Sequence, residues 1–284
     1  VHAYDWARLL GLASLWSLQY LFLRVCVPVF GAGAVADGRA ILGALFLIPA
    51  ALAMGQRIAL REHWRDYLVI SLCNNVLPFL CIAWAAGVLP ASYLSVISGT
   101  VPLWAGVCAA WMLKEPLYAR QIAGFVVGLA GVALIVNLGP VPIDARSLLG
   151  VGAALAGSAM WGWGGVVIKK RSASLPPIGL AAGSIIVGAI VMLPLWAGAA
   201  PAATWTFEAA MALAALGLLG TGLAYLAFFT LVRDIGPSRT LTTGLIIPAL
   251  GVLWGWLFLE EAVTPAMLGG VALVIGALVL VLRR

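Results

Sequence analysis

Apolar stretches of helical length follow one another along almost the whole chain, separated by Gly, Pro and small clusters of charge. Uncharged runs cover 67–113, 172–207, 209–232 and 262–282. A helix of roughly 20 apolar residues crosses the ~30 Å hydrocarbon layer of a bilayer, so each run holds one span or a pair. Breaking the sequence at its punctuation predicts ten helices, over 6–28, 34–55, 66–86, 90–112, 118–138, 147–170, 177–198, 208–232, 237–259 and 263–282. Connections are short, Gly87-Val88-Leu89-Pro90 and Asp234-Ile235-Gly236-Pro237 among them, and leave no room for a soluble domain. The runs do not alternate in polarity, which argues against a transmembrane β-barrel. The first span is too long for the apolar core of a signal peptide, and equivalents follow it, so it belongs to the mature structure. The chain opens on Val1 instead of Met and is expected to be trimmed from a longer one.

The pattern occurs twice. At a step of 145 residues Pro49 matches Pro194, with Gly38/Gly183, Ile41/Ile186, Gly43/Gly188 and Ala44/Ala189 in the same frame. At a step of 146, Pro102 matches Pro248, Glu115 matches Glu261 and Gly124 matches Gly270. Trp16-x7-Arg24 is echoed by Trp161-x7-Lys169. We therefore expect one transmembrane domain made of two five-helix repeats, 1–140 and 141–284. Five is odd, so the second copy starts from the opposite face and the repeats are inverted. Duplicated spans with prolines at matching depths point to a transporter with a central binding site.

Composition agrees with a membrane chain: 64% of residues are hydrophobic and only 9% charged. The net charge of +6 is scattered over span ends, which argues against nucleic-acid binding. With the N-terminus placed in the cytoplasm, that side receives thirteen Lys and Arg, and the other receives Arg24, Arg39 and Arg146. The positive-inside rule then makes both termini cytoplasmic. The four cysteines, Cys26, Cys73, Cys81 and Cys108, form no C-x-x-C and read as buried free thiols.

A charge at the bilayer centre costs about 3 kcal/mol even on permissive scales. The acidic residues, Asp37, Glu115, Glu208 and Glu261 among them, fall at or near predicted span ends, and His2 and His63 lie outside the spans. The interior is thus expected to hold no fixed charge, no metal cluster and no Ser–His pair, and an enzyme is not expected. What remains is polar and aromatic. The binding candidates are Tyr20; Asn74, Asn75 and Pro78; Tyr93 and Ser98; Trp161 and Trp163; Tyr225; and Thr243. Pro78 removes a backbone donor and frees a carbonyl near Asn74, which in a membrane needs a partner or a wet cavity.

Competing readings stand beside each candidate. An isolated Ser or Thr bonds back to its own helix as readily as to a ligand, and the tryptophans could be packing. Pro102 and Pro248 are hinges or static kinks. Arg24 snorkels to the interface or meets a substrate carboxylate at an outer gate. Glu115 and Glu261 cap helix ends, with Lys114 or Arg120 nearby, or latch a gate.

Glu115-Pro116, then Gln121-Ile122-Ala123-Gly124 with Gly128 and Gly131, and the echo Glu261, Gly269-Gly270 and Gly276, resemble the twin EamA-type repeats of the drug/metabolite transporter superfamily. The resemblance covers the whole chain and is strongest to the YddG-type aromatic amino-acid exporters. It implies a ten-helix basket with the first, third, fourth, sixth, eighth and ninth spans around a cavity and the fifth and tenth outside. It also implies export of amino acids or similar metabolites. The second copy departs from the motif, with Met267 where the first has Gln121. Small multidrug-efflux relatives use an acidic residue in their first span, and this chain has none between Trp6 and Pro28.

The expected protein is an all-α polytopic carrier of the bacterial inner membrane, working by alternating access. It is expected to act as a monomer on a small-molecule substrate within a lipid bilayer, without cofactor, metal or nucleic acid. Drug efflux and a channel are the rivals. Transport should persist without a proton gradient, and Asn75→Ala and Trp163→Ala should weaken apparent affinity.

Overall fold

A computed structural model describes residues 3–114, 116, 118–139, 141–171, 175–197, 205–235, 240 and 243–282. The described residues form helices and connections, with no strand. The helices are α1 (Ala3–Phe30), α2 (Ala32–Ala53), α3 (Trp64–Ser71), α4 (Leu77–Ala86), α5 (Ala91–Ser98), α6 (Val101–Met112), α7 (Ala119–Leu138) and α8 (Ala145–Arg171). They continue as α9 (Pro177–Met192), α10 (Pro194–Ala197), α11 (Phe207–Gly217), α12 (Ala224–Ile235), α13 (Thr243–Leu259) and α14 (Pro265–Leu282). Among the described residues, seven continuous helical stretches are long and apolar enough to cross a membrane, and three apolar helices, α9, α13 and α14, are shorter.

Two of the long stretches carry a π-helical turn. Leu72–Val76 joins α3 to α4, and Leu218–Leu223 joins α11 to α12. The first residues of the two turns lie 146 positions apart, the step that also relates Pro102 to Pro248. In the first turn the Leu77 N–H reaches back five residues to the Leu72 carbonyl, directly before Pro78, which has no N–H to give. In the second, the Thr221 hydroxyl donates to the Leu216 carbonyl at 3.3 Å. π-Turns widen a helix locally and concentrate at functional sites.

Packing follows the duplication as well. The α1–α13 contact has its counterpart in α6–α8, and α4–α8 in α1–α12. Of the remaining large interfaces, α2–α9 and α7–α14 join equivalent helices, and α5–α13 joins the first part of the fourth predicted span to the ninth. The α7–α14 seam is close because glycines line it. A Cβ on Gly131 would sit 2.9 Å from the Gly270 carbonyl, and one on Gly270 2.9 Å from the Gly131 carbonyl. Gly124 of the Gly124-x3-Gly128 pattern faces the Ala277 carbonyl, so the motif packs within the chain.

Prolines sit at matching positions of the fourth and ninth predicted spans. The α5–α6 stretch breaks at Gly99–Thr100, directly before Pro102, while Pro248 lies inside α13. Each proline ring faces a glycine of the other helix: Pro248 Cγ would lie 2.8 Å from a Cβ on Gly99, and Pro102 Cγ 3.6 Å from one on Gly244.

Charged residues share helix ends across the structure. Arg8 pairs with Asp234 and Arg171 with Asp66, both at 2.8 Å. Asp144 accepts from the Ser147 N–H at 2.7 Å and caps α8; that backbone bond holds its carboxyl below the usual carboxylate range. One charge is placed differently from the sequence expectation. Arg39 is the eighth residue of α2 and only 2% exposed. Asp37, on the same helix, is also buried. The interior therefore does contain fixed charge.

Candidate functional site

The first π-turn meets the helix that follows the second through side chains. Asn74 and Asn75 project from the first, and Tyr225 follows the second by two residues. The Tyr225 hydroxyl donates to Asn75 Oδ1 at 3.2 Å and accepts from Asn74 Nδ2 at 3.3 Å. Asn74 Nδ2 also lies 3.4 Å from Asn75 Oδ1. The Trp161 indole N–H donates to the Asn74 main-chain carbonyl at 3.0 Å. That bond supplies the partner that the proline-disturbed turn demands, since an unpaired carbonyl in an apolar medium costs several kcal/mol (about 4–8 on the water-to-cyclohexane scale). Asn75 Nδ2 makes no hydrogen bond among the described residues, so this buried carboxamide keeps unspent donors.

A second layer lies one helical turn away on both helices. Thr221 precedes Tyr225 by four residues and Phe79 follows Asn75 by four, so each pair shares a face. Arg39 bridges these positions. Its Nε and Nη2 donate to Thr221 Oγ1 at 3.2 and 3.1 Å, and Nη2 also donates to Gln19 Oε1 at 3.1 Å. The guanidinium carbon stands 3.8 Å from the centre of the Phe79 ring, a cation–π contact. Because the Thr221 proton is spent on Leu216, its oxygen lone pairs are free to receive Arg39. Tyr20 and Tyr225 lie within electrostatic reach of the guanidinium, and Tyr20 approaches Gln19 and Ser98.

The structure thus brings Tyr20, Asn74, Asn75, Ser98, Trp161 and Tyr225 to one region, with Pro78 shaping the turn beside it. It takes others elsewhere. Tyr93 is buried and donates to the Ile135 carbonyl at 3.2 Å, tying α5 to α7. Trp163 stacks edge-on against Trp111, with centroids 6.4 Å apart, and packs into the cluster around Tyr67 and Ile70. Two residues apart on a helix, Trp161 and Trp163 cannot serve the same face. Thr243 bonds back to the Thr240 carbonyl at 2.8 Å. Arg24 donates to the Ala86 carbonyl at 2.9 Å, at the C-terminal end of α4 where a cation is favoured. Glu261 accepts from the Ala91 and Ser92 N–H groups at 2.7 and 3.0 Å and from the Ser92 hydroxyl, capping α5. Glu115 lies outside the described residues.

Gln19 and Arg39 are site residues absent from the sequence expectation. Arg39 stands inside a predicted span, and an ionisable residue there is a functional candidate by default. A lateral groove of about 280 Å³, lined by Leu103, Gly106, Val107, Gln121, Ile122, Phe125 and Val281, lies away from this polar centre.

A helical membrane protein whose duplicated halves meet at a polar centre belongs, by class, with the transporters. Residues 6–137 and 148–283 each match the EamA-like transporter family, and the chain is a member of that family. It is 29% identical over 269 residues to the uncharacterized transporter YvbV of Bacillus subtilis, covering 94% of this chain and 86% of that protein. It is 25% identical over 287 residues to a probable terminal-alkyne amino-acid exporter of Streptantibioticus cattleyicolor, covering 98% and 93%. The Escherichia coli uncharacterized inner membrane transporter YedA is 23% identical over 256 residues, covering 87% and 80%. A solved crystal structure shares the fold with a TM-score of 0.71 at 21% identity, covering 99% of this chain and 96% of that one.

Proposed function

We propose that the protein is a secondary carrier that exports amino acids, aromatic or otherwise neutral, or related small metabolites by alternating access. The observation that carries this reading is the hydrogen-bonded contact of Asn74 and Asn75 with Tyr225. It joins the first π-turn to the helix that follows the second, so a movement that separates these two segments breaks it. Groups that can bond to each other can equally bond to a zwitterion that comes between them. Pro102 and Pro248 serve as hinges, each ring seated against a glycine that lets the two helices approach closely. The exporter relative from Streptantibioticus cattleyicolor supports the substrate class.

On this reading ten spans form two inverted five-helix repeats in a bacterial inner membrane, and the carrier acts as a monomer without cofactor. Both termini and the loop with Arg57, Arg61 and Arg65 face the cytoplasm. Moving Arg39 out of the outer loops leaves Arg24 and Arg146 there and strengthens the charge bias. A cysteine at Ala59 should stay unlabelled by an impermeant thiol reagent in intact cells; labelling would reverse the orientation.

Uptake into proteoliposomes tests the function. A panel of amino acids should give saturable flux and counterflow, whereas non-saturating flux would indicate a channel. Flux should persist without a pH gradient. The polar centre is built from Asn, Gln, Thr, Tyr and Arg, none of which ordinarily titrates between about pH 6 and 8. Strictly proton-driven uphill transport would contradict this and direct attention to Asp37.

A further inference from the structure

We propose that Arg39 is the anion subsite of this carrier and that its substrates carry a single carboxylate, an inference that rests on the carrier reading above. The guanidinium is fixed on one edge only. Thr221 and Gln19 take the Nε and Nη2 donors, and Phe79 supports the flat face. Nη1, with two N–H groups, makes no hydrogen bond among the described residues although Arg39 is only 2% exposed. Thr221 and Gln19 are neutral. The other groups within electrostatic reach, Tyr225, Tyr20 and Cys26, are neutral near pH 7 as well. Asp37 precedes Arg39 by two positions, about 200° around the helix, and does not face it.

A cation held rigidly by neutral groups, with one nitrogen unspent, suits an incoming anion. The charge-assisted bond is strong where water is excluded, and the side chain is already ordered before the ligand arrives. A single guanidinium balances one negative charge. A phosphate monoester carries close to two at neutral pH and would call for further basic groups; among the described residues that form this centre, Arg39 is the only Lys or Arg. The second layer lies one turn away, about 5 Å along the helices. A carboxylate on Arg39 would leave an α-ammonium near the acceptor oxygens of Asn75 and Tyr225. Arg24 differs in kind: it stands at a helix end, where Nη1 donates to the Ala86 carbonyl.

Ligand-induced thermal stabilisation of the purified wild-type protein tests the subsite. The probes are alanine, leucine and phenylalanine, each beside its amide and its deamino acid. We expect every amide to need a roughly tenfold higher concentration than the parent amino acid, about 1.4 kcal/mol, or to fail to bind. The deamino acid with the preferred side chain should still bind. In Arg39→Gln the gap between acid and amide should close to within about twofold, while Arg39→Lys keeps part of it. Equal binding of acids and amides by the wild type overturns the subsite and leaves the carrier reading standing. Binding of deamino acids but not of amino acids keeps the subsite and removes the amino-acid reading. If no carboxylate in the panel binds the wild type, the subsite is overturned whether or not Arg39→Gln folds.

Discussion

Glu261→Ala is expected to lower the stability of the purified protein by about 3 kcal/mol or more, read as a large fall in apparent melting temperature and folded yield. The Glu261 carboxylate takes the first N–H groups of α5, from Ala91 and Ser92, and the Ser92 hydroxyl. Helix N-termini leave such donors without intrahelical partners, and Pro90 offers no side-chain cap. Hydrogen bonds to a charged acceptor contribute about 1.5–3 kcal/mol each, and stranded buried donors cost about 1–3 kcal/mol. The contact reaches across 170 residues of sequence, so its loss also detaches α5 from the turn before α14. That turn is specific: Glu260 has a φ of 54°, and Gly255 leaves space where a Cβ would come within 2.5 Å of the Glu261 carboxylate. Glu261→Gln keeps an acceptor and should fall between wild type and Ala. A melting temperature for Glu261→Ala equal to that of wild type would refute the cap. Normal melting of Glu261→Gln with altered flux would favour the latch over the static cap.

Asn75→Ala is expected to raise the half-saturation concentration for transport by roughly tenfold, equivalent to about 1.4 kcal/mol. The carboxamide is fully buried, accepts from Tyr225, and has donors left over. Its removal takes away a ligand contact and also leaves the Tyr225 hydroxyl without its acceptor. Tyr225→Phe should act in the same direction and more weakly, since one hydrogen bond is worth about 0.5–1.5 kcal/mol. Trp161→Ala should join this group, because its indole holds the Asn74 carbonyl. Trp163→Ala is the control: it packs against Trp111 and should leave half-saturation near wild type. Pro248→Ala should lower turnover more than affinity. Concentration series in counterflow read all of these, and unchanged kinetics in Asn75→Ala with altered kinetics in Trp163→Ala would reverse the assignment.

Much of the fold is legible because a membrane helix needs a long, mostly apolar run, and seven stretches among the described residues have one. The polar centre is partly legible for a related reason. Two adjacent carboxamides beside Pro78 stand out in an apolar stretch, and a freed carbonyl implies a partner, which turns out to be the Trp161 indole. Periodicity does not choose between Trp161 and Trp163, because which face of α8 turns inward depends on helices far away in sequence. Arg39 escapes the sequence for a different reason. It lies five residues inside a predicted span, and hydropathy alone fixes the start of a span no more closely than that, so the residue falls in with the outer loop. Its partners, Gln19 and Thr221, are 20 and 182 residues distant, and only the folded chain shows that the three converge. End-capping by Glu261 follows from its chemistry, but its target, the start of α5, does not, since capping pairs across the fold leave no local spacing signal.

An experimental structure of the purified protein with a transported amino acid bound puts the binding site to the plainest test. Ligand density is expected between the two π-turns, within hydrogen-bond distance of Asn75 and Tyr225 and beside Arg39. Density confined to the lateral groove between Leu103, Gln121 and Phe125, with the Asn75–Tyr225 contact intact, would contradict a polar centre that binds substrate.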